Sequence, residues 1–79
     1  MTVTVLSKPN CVQCAATTRT LDRLGIEYDK WDVESDPEAF TLAVNLGYMA
    51  VPVVIVSTPG EPDAHWAGFR PERIEALVA

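Results

Sequence analysis

Short apolar runs alternate with loop-forming residues along the chain. Four runs rich in β-branched or aromatic residues predict strands, at 3–6, 26–33, 51–56 and 64–67. Apolar residues at helical spacing predict three helices, over 12–24, over 37–46 and from residue 71 onward. A strand–helix–strand unit implies a parallel pair with a right-handed crossover, and the closing hairpin adds antiparallel strands. The sequence therefore predicts an α/β fold in the order β-α-β-α-β-β-α.

The spacing also predicts which side chains face the interior. The inward-facing apolar positions are expected at Cys14, Leu21, Leu24, Phe40, Ala43, Val44, Ile74, Leu77 and Val78. Ser35 precedes Glu38 by three residues, which predicts a capping box at the start of the second helix. The run at 51–56 predicts a strand buried on both faces, whereas His65 is expected to face solvent.

Composition and charge narrow the class of protein. The chain has 79 residues, 48% of them hydrophobic, which indicates one small globular domain over residues 1–79. No apolar run approaches the ~20 residues that cross a membrane. The first residues lack the pattern of a secretory signal, so we expect a cytoplasmic protein with no membrane partner. The net charge is −5 and no basic cluster is present, so nucleic acid is not an expected partner.

Cys11 and Cys14 are the only cysteines of the chain, and their spacing favours redox chemistry over a structural role. A disulfide between them closes a loop of about four residues, which stabilises the fold by about 2 kcal/mol at best. A structural zinc site needs four ligands, and the only other soft ligand is His65, so no metal site is expected. Reversible dithiol–disulfide chemistry accounts better for the Cys-x-x-Cys spacing.

The predicted position of the pair gives each cysteine a role. Cys11 falls at the N-cap or in the first turn of the first helix, where free backbone N–H groups favour a thiolate. Lys8, three residues upstream, would add a positive charge. Cys14 lies one turn later and deeper, which suits a thiol that resolves a mixed disulfide. We therefore predict Cys11 as the nucleophile and Cys14 as the resolving cysteine.

The cysteine pair and a second motif resemble a known family. A Cys-x-x-Cys that opens a helix directly after an N-terminal strand is similar to the active site of the thioredoxin superfamily and its glutaredoxin-like members. Cys11-Val12-Gln13-Cys14 and Trp66-Ala67-Gly68-Phe69-Arg70-Pro71 resemble the C-[MV]-Q-C and W-S-G-F-R-P motifs of the NrdH-redoxins, with Ala67 as the one departure. The resemblance covers essentially the whole chain. It implies a thioredoxin fold, a four-stranded mixed sheet flanked by three helices, with a cis bond between Val51 and Pro52 facing the cysteines.

The resemblance to the NrdH-redoxins also implies a function. It implies a monomeric dithiol–disulfide oxidoreductase that donates electrons to the large subunit of class Ib ribonucleotide reductase. Thioredoxin reductase, drawing on NADPH, would recharge it. No cofactor would be bound, since the redox centre is the Cys11–Cys14 disulfide. The residues expected to contact protein partners are Lys8, Val12, Gln13, Met49, Val51, Pro52, Trp66, Phe69 and Arg70.

Two other functions remain open at this point. The first is a glutathione-dependent glutaredoxin, but the Gly-Gly turn and acidic residue that hold glutathione in that family are replaced here by the bulky segment 66–70. The second is a binding module in which the cysteines coordinate a metal, or an iron–sulfur cluster between two chains. Relatives that bind such clusters often use one cysteine plus glutathione, so the missing glutathione motif disfavours this function as well.

Overall fold

A four-stranded mixed sheet flanked by three helices forms the framework of the protein, as predicted. The computed structural model describes residues 1–79. The elements in chain order are β1 (Thr2–Ser7), α1 (Val12–Arg23), β2 (Asp29–Asp32), α2 (Pro37–Asn45), β3 (Val53–Ser57), β4 (Ala64–Ala67) and α3 (Pro71–Glu75). The strand order is β2-β1-β3-β4. β1 runs parallel to β2 and antiparallel to β3, which in turn pairs antiparallel with β4.

Each face of the sheet carries its own apolar core. Alternate residues of a strand point to opposite faces, so neighbours in one strand enter different cores. The core beneath α1 and α3 contains Val3, Val5, Leu21, Ile26, Val54, Val56, Trp66 and Ile74. The smaller core beneath α2 contains Leu6, Ala39, Ala43 and Val53. β3 therefore contributes to both cores, which confirms the prediction of a strand buried on both faces.

The start of α2 and the face of this helix that is buried both differ from the prediction. Asp36, not Ser35, is the N-cap, and its side chain accepts hydrogen bonds from the backbone N–H groups of Glu38 and Ala39 at 3.0 and 3.4 Å. The predicted capping box is therefore wrong. α2 lies on the sheet through its small Ala39 and Ala43, which let the helix axis come close. The larger Phe40 and Val44, predicted to face inward, are instead 57% and 53% exposed.

Two other boundaries also depart from the sequence prediction. β2 begins only at Asp29, because the preceding residues complete the end of α1. Gly25 adopts a φ of 70°, and the N–H of Ile26 donates to the carbonyl of Leu21 at 2.9 Å, as in a Schellman cap. Ile26 thus enters the core from the end of a helix rather than from a strand. At the other end of the chain, Val78 was expected to be buried and is 53% exposed.

His65 forms a side-chain pair that links β4 to the loop after α2. The hydroxyl of Tyr48 lies 2.7 Å from Nδ1 of His65, and the two rings pack edge to face. His65 is half-buried, so the prediction that it faces solvent is wrong. The bond fixes the residue that precedes Met49 and so helps to hold the loop that leads into Pro52.

Candidate active site

Cys11 and Cys14 form a disulfide at the start of α1, directly after the loop that follows the central strand β1. Asn10 turns the chain with a φ of 59°, in the left-handed region that asparagine tolerates better than most residues. Cys11 is the extended N-cap of α1, and its sulfur accepts a hydrogen bond from the backbone N–H of Cys14 at 3.1 Å. This confirms the predicted placement of the pair. A sulfur at this position faces the free N–H groups of the first helical turn, which favour negative charge.

The two sulfurs differ in their access to solvent. Cys14 is 5% exposed, whereas Cys11 is only partly buried. The Cα atoms of the two residues are 5.2 Å apart. A substrate disulfide can therefore approach the sulfur of Cys11 more readily than that of Cys14.

Pro52 closes the other side of the site. The Val51–Pro52 peptide bond is cis, as predicted, and Pro52 is fully buried. The carbonyl oxygen of Val51 lies 4.0 Å from the sulfur of Cys11. The carbonyl of Pro52 is already engaged, because it accepts a hydrogen bond from the N–H of Gly68 at 2.8 Å.

Gln13 joins the cysteine motif to the C-terminal motif. Its side-chain oxygen accepts a hydrogen bond from the backbone N–H of Phe69 at 3.0 Å. Gly68 has a φ of 83°, and a Cβ there would lie 3.3 Å from that same oxygen. Glycine therefore serves both the backbone conformation and the close approach of the Gln13 amide. Gln13 was predicted to contact partners, and the structure shows that its amide oxygen is committed within the chain.

The remaining residues of the C-terminal motif lie mostly within the fold. Trp66 is 4% exposed and belongs to the larger core, so its ring does not lie on a partner surface, contrary to the sequence prediction. Arg73 covers that ring, with its guanidinium carbon 4.7 Å from the ring centre. Phe69 is partly buried against the same core. Arg70 bonds the carboxylate of Glu72 at 2.6 Å, and this contact lowers the pKa of Glu72.

The apolar surface beside the cysteines is larger than the sequence predicted. Val12 and Met49, both predicted, are 82% and 100% exposed. Lys8 is exposed as well, and next to it an open groove of about 380 Å³ runs between α2 and the loop that leads to Pro52. The apolar side chains that line this groove are Val33, Phe40, Ala43, Val44, Tyr48, Met49, Ala50 and Val51. Phe40 and Val44 were predicted to face inward from their helical spacing, but α2 packs on the sheet through the smaller Ala39 and Ala43 instead.

The structure adds two further observations on the class of site. No group of three or more His, Cys, Asp or Glu side chains is arranged to hold a metal ion. No helix is long and apolar enough to cross a membrane.

Comparisons with known proteins agree with this geometry. The glutaredoxin family profile matches residues 3–58. The glutaredoxin-like protein NrdH of Salmonella typhimurium is 35% identical over 77 residues, which cover 98% of this chain and 89% of that protein. NrdH of Lactococcus lactis is 32% identical over 76 residues, with 96% of this chain and 99% of that protein covered.

A solved structure gives the same result in three dimensions. The NrdH-redoxin of Escherichia coli, a glutaredoxin-like protein with a thioredoxin-like activity profile, superposes with a TM-score of 0.86 at 34% identity. The match covers 98% of this chain and 95% of that one. With the disulfide at the start of α1, the cis-proline beside it and the two joined motifs, these matches show that the chain belongs to the glutaredoxin family, among its glutaredoxin-like NrdH proteins.

Proposed function

We propose that this protein is a cytoplasmic dithiol reductant that donates electrons to the large subunit of class Ib ribonucleotide reductase and is recharged by NADPH-dependent thioredoxin reductase. The observation that carries the proposal is the segment before α3. Where a glutathione-dependent relative would hold the tripeptide, the backbone N–H groups of Gly68 and Phe69 are already bonded to Pro52 and Gln13. They are not free to bind a carboxylate.

The reduction of a substrate disulfide follows from the positions of the two sulfurs. In the reduced protein, the Cys11 thiolate attacks one substrate sulfur, a mixed disulfide forms, and the other substrate sulfur leaves and takes a proton. Cys14 then loses its proton, and its thiolate attacks the Cys11 sulfur. The mixed disulfide breaks, the second substrate thiol is released, and the Cys11–Cys14 disulfide remains. Two electrons pass from the protein to the substrate, and the two protons come from the Cys14 thiol and from solvent.

The apolar surface around Cys11 supports a protein as the electron source. Val12 and Met49 are almost fully exposed, and apolar area of this kind beside a reactive group is typical of a docking surface. Glutathione is small, charged and polar, and it gains little from such a surface. Arg70, the N-cap of α3, is paired with Glu72. The thioredoxin-like activity profile of the Escherichia coli relative points the same way.

A coupled assay tests the electron source. The protein is supplied with NADPH and either thioredoxin reductase or glutathione plus glutathione reductase, and NADPH oxidation is followed with insulin as the disulfide substrate. We expect rapid turnover at micromolar protein with thioredoxin reductase and little with millimolar glutathione. Efficient turnover with glutathione would place the protein instead among the glutathione-dependent glutaredoxins.

A second assay tests the proposed acceptor. Class Ib ribonucleotide reductase is supplied with NADPH, thioredoxin reductase and this protein, and deoxyribonucleotide formation is measured. We expect turnover that requires Cys11 and Cys14, with the double Cys→Ser variant as the inactive control. If the protein reduces insulin but does not support the ribonucleotide reductase, it is a general disulfide reductase whose acceptor is a different protein.

A further inference from the structure

A second pocket, on the α1 side of the disulfide, contains both lysines of the chain. Its volume is about 560 Å³, and Lys8 is the only residue that it shares with the apolar groove beside α2. Its lining residues are Ser7, Lys8, Pro9, Asn10, Cys11, Val12, Cys14, Ala15, Thr18 and Lys30. Lys8 and Lys30 are 22 positions apart in the sequence, and the fold brings them to the same pocket as the two cysteines.

The parallel pairing of β1 and β2 explains the position of Lys30. Lys30 is the register partner of Val5, and neighbours in adjacent strands point to the same face of the sheet. Val5 is fully buried beneath α1, so the side chain of Lys30 also lies on the α1 face. β2 is an edge strand, and Lys30 is exposed there. Lys8 reaches the pocket from the loop that follows β1.

The pocket contains two cations and no carboxylate, although the chain as a whole is acidic. The chain has eleven acidic residues and a net charge of −5, yet no acidic residue lines this pocket. The two salt bridges of the structure join Arg23 to Glu75 and Arg70 to Glu72, so neither lysine is paired with a carboxylate. Two unpaired positive charges beside the redox centre will attract an anionic group, and the surrounding acidic surface will repel it elsewhere.

We propose that Lys8 and Lys30 form a recognition site for an acidic side chain next to the cysteine in the substrate's disulfide segment. The site would direct an acidic segment of the protein substrate across the α1 side of Cys11, while the apolar groove contacts the other side. This inference extends the proposed function. It assumes one part of that function, namely that the Cys11–Cys14 pair reduces a protein disulfide. A small disulfide compound with a free carboxylate carries the same negative charge as an acidic side chain. The experiments below distinguish such a compound from an acidic protein segment.

The test compares two peptide disulfides that differ only in a Glu or a Gln next to the cysteine. The measured quantity is the ratio of kcat/KM for the Glu peptide to that for the Gln peptide. Effects on the reactivity of Cys11 itself act on both peptides and cancel in this ratio. We expect a ratio of about 3 to 10 for the wild type, consistent with partly exposed charge pairs. The Lys8→Gln and Lys30→Gln variants should each lower it, and the double variant should bring it to about 1.

Three controls sharpen this comparison. Lys30→Arg keeps the charge and should keep the ratio above that of Lys30→Gln. Arg19→Gln removes an exposed cation of α1 that does not line the pocket, and should leave the ratio as in the wild type. Salt at about 1 M, where the Debye length is about 3 Å, should lower the wild-type ratio towards 1. A ratio near 1 in the wild type, or a ratio that the double variant does not change, would overturn the inference.

Binding of peptides to the oxidised protein tests the inference independently of the proposed function, because no disulfide is reduced in this experiment. The two peptides with Ser in place of Cys are titrated into the oxidised protein, and backbone amide shifts are followed by NMR. We expect salt-sensitive shifts at Asn10, Thr18 and Lys30 with the Glu peptide only. Equal shifts with both peptides would contradict the inference, whether or not the protein reduces disulfides. Tighter binding of a small dicarboxylate such as dithiodiglycolate than of the Glu peptide would overturn the assignment to a protein segment.

Discussion

The side-chain oxygen of Gln13 accepts a hydrogen bond from the backbone N–H of Phe69, although the two residues are 56 positions apart. The adjacent Gly68 donates to the carbonyl of Pro52. These two bonds join the start of α1, the loop before β3 and the segment before α3 at one point beside Cys11. The geometry around the disulfide therefore depends on the C-terminal motif as much as on the cysteine motif.

Loss of the Gln13 acceptor should destabilise the protein. Gln13→Met keeps the length of the side chain but leaves the N–H of Phe69 without its partner, so we expect a loss of about 0.5–1.5 kcal/mol in the free energy of unfolding. Urea titration measures this loss. Gln13→Glu keeps an acceptor oxygen and is the matched control, expected to retain more of the stability. A Gln13→Met protein as stable as the wild type would show that the bond contributes nothing.

A side chain at Gly68 should destabilise the protein more than one at Gly60. Both glycines have positive φ values, 83° and 81°, so alanine at either position imposes a similar backbone strain of about 1–3 kcal/mol. A Cβ at Gly60 would meet nothing within 4 Å, whereas at Gly68 it would lie 3.3 Å from the Gln13 oxygen. Gly68→Ala should therefore lower the thermal midpoint further than Gly60→Ala, and equal midpoints would contradict the proposed crowding.

Cys11 should react before Cys14 when both are reduced. Cys11 is partly exposed at the helix N-terminus, whereas Cys14 is 5% exposed. With limiting iodoacetamide near neutral pH, mass spectrometry should find Cys11 labelled about tenfold faster. Cys14→Ser should trap a mixed disulfide with a substrate protein. Prior labelling of Cys14, or disulfide-reducing activity in Cys11→Ser, would reverse the assignment.

A charge at Val12 should weaken docking of thioredoxin reductase without affecting the fold. Val12 is 82% exposed next to Cys11, so Val12→Glu removes apolar contact area and adds a charge that the complex must desolvate. We expect the KM for this protein in the reductase assay to rise about fivefold. Val78→Glu changes another exposed apolar residue, 53% exposed, which lines neither pocket beside the cysteines, and serves as the control. Equal KM values for the two variants would place the docking surface elsewhere.

Substitution of Asp36 should remove the N-cap of α2, whereas substitution of Ser35 should not. The Asp36 side chain accepts two backbone N–H groups of the first turn, so Asp36→Ala should lower the free energy of unfolding by about 0.5–2 kcal/mol. Ser35 makes no such bond, so Ser35→Ala should change it by less than about 0.5 kcal/mol. Denaturant titration of the two variants side by side decides between the residues.

Short-range signals in the sequence were sufficient to predict most of the fold. The apolar run of β3, the N-cap position of Cys11 and the glycine that ends α1 each depend on neighbours within a few residues. The position of the α2 cap could also have been predicted. Serine and aspartate are both good N-caps, but Pro37 favours the first helical position, so the residue directly before it is the cap.

Contacts between distant residues could not be predicted in the same way. The Tyr48–His65 pair and the Gln13–Phe69 bond connect residues 17 and 56 positions apart, and no local periodicity encodes such pairings. The burial of Trp66 follows from the pairing of Val54 with it across β3 and β4, which places both side chains in the larger core. Lys30 lines the same pocket as the cysteines because of the parallel register of β1 and β2.

The central place of β1 in the sheet also governs the order in which the chain can fold. β1 precedes both of its partners in the chain, and its antiparallel partner is β3, with Thr2 opposite Ser57. β2 can pair with one edge of β1 early, but the edge that faces β3 stays unpaired until the chain has been synthesised as far as residue 57. Closure of that long loop must precede the gain from pairing, which makes such contacts slow to form. Nascent chains that stop short of β3 will expose that edge of β1, where strands of other chains can pair with it.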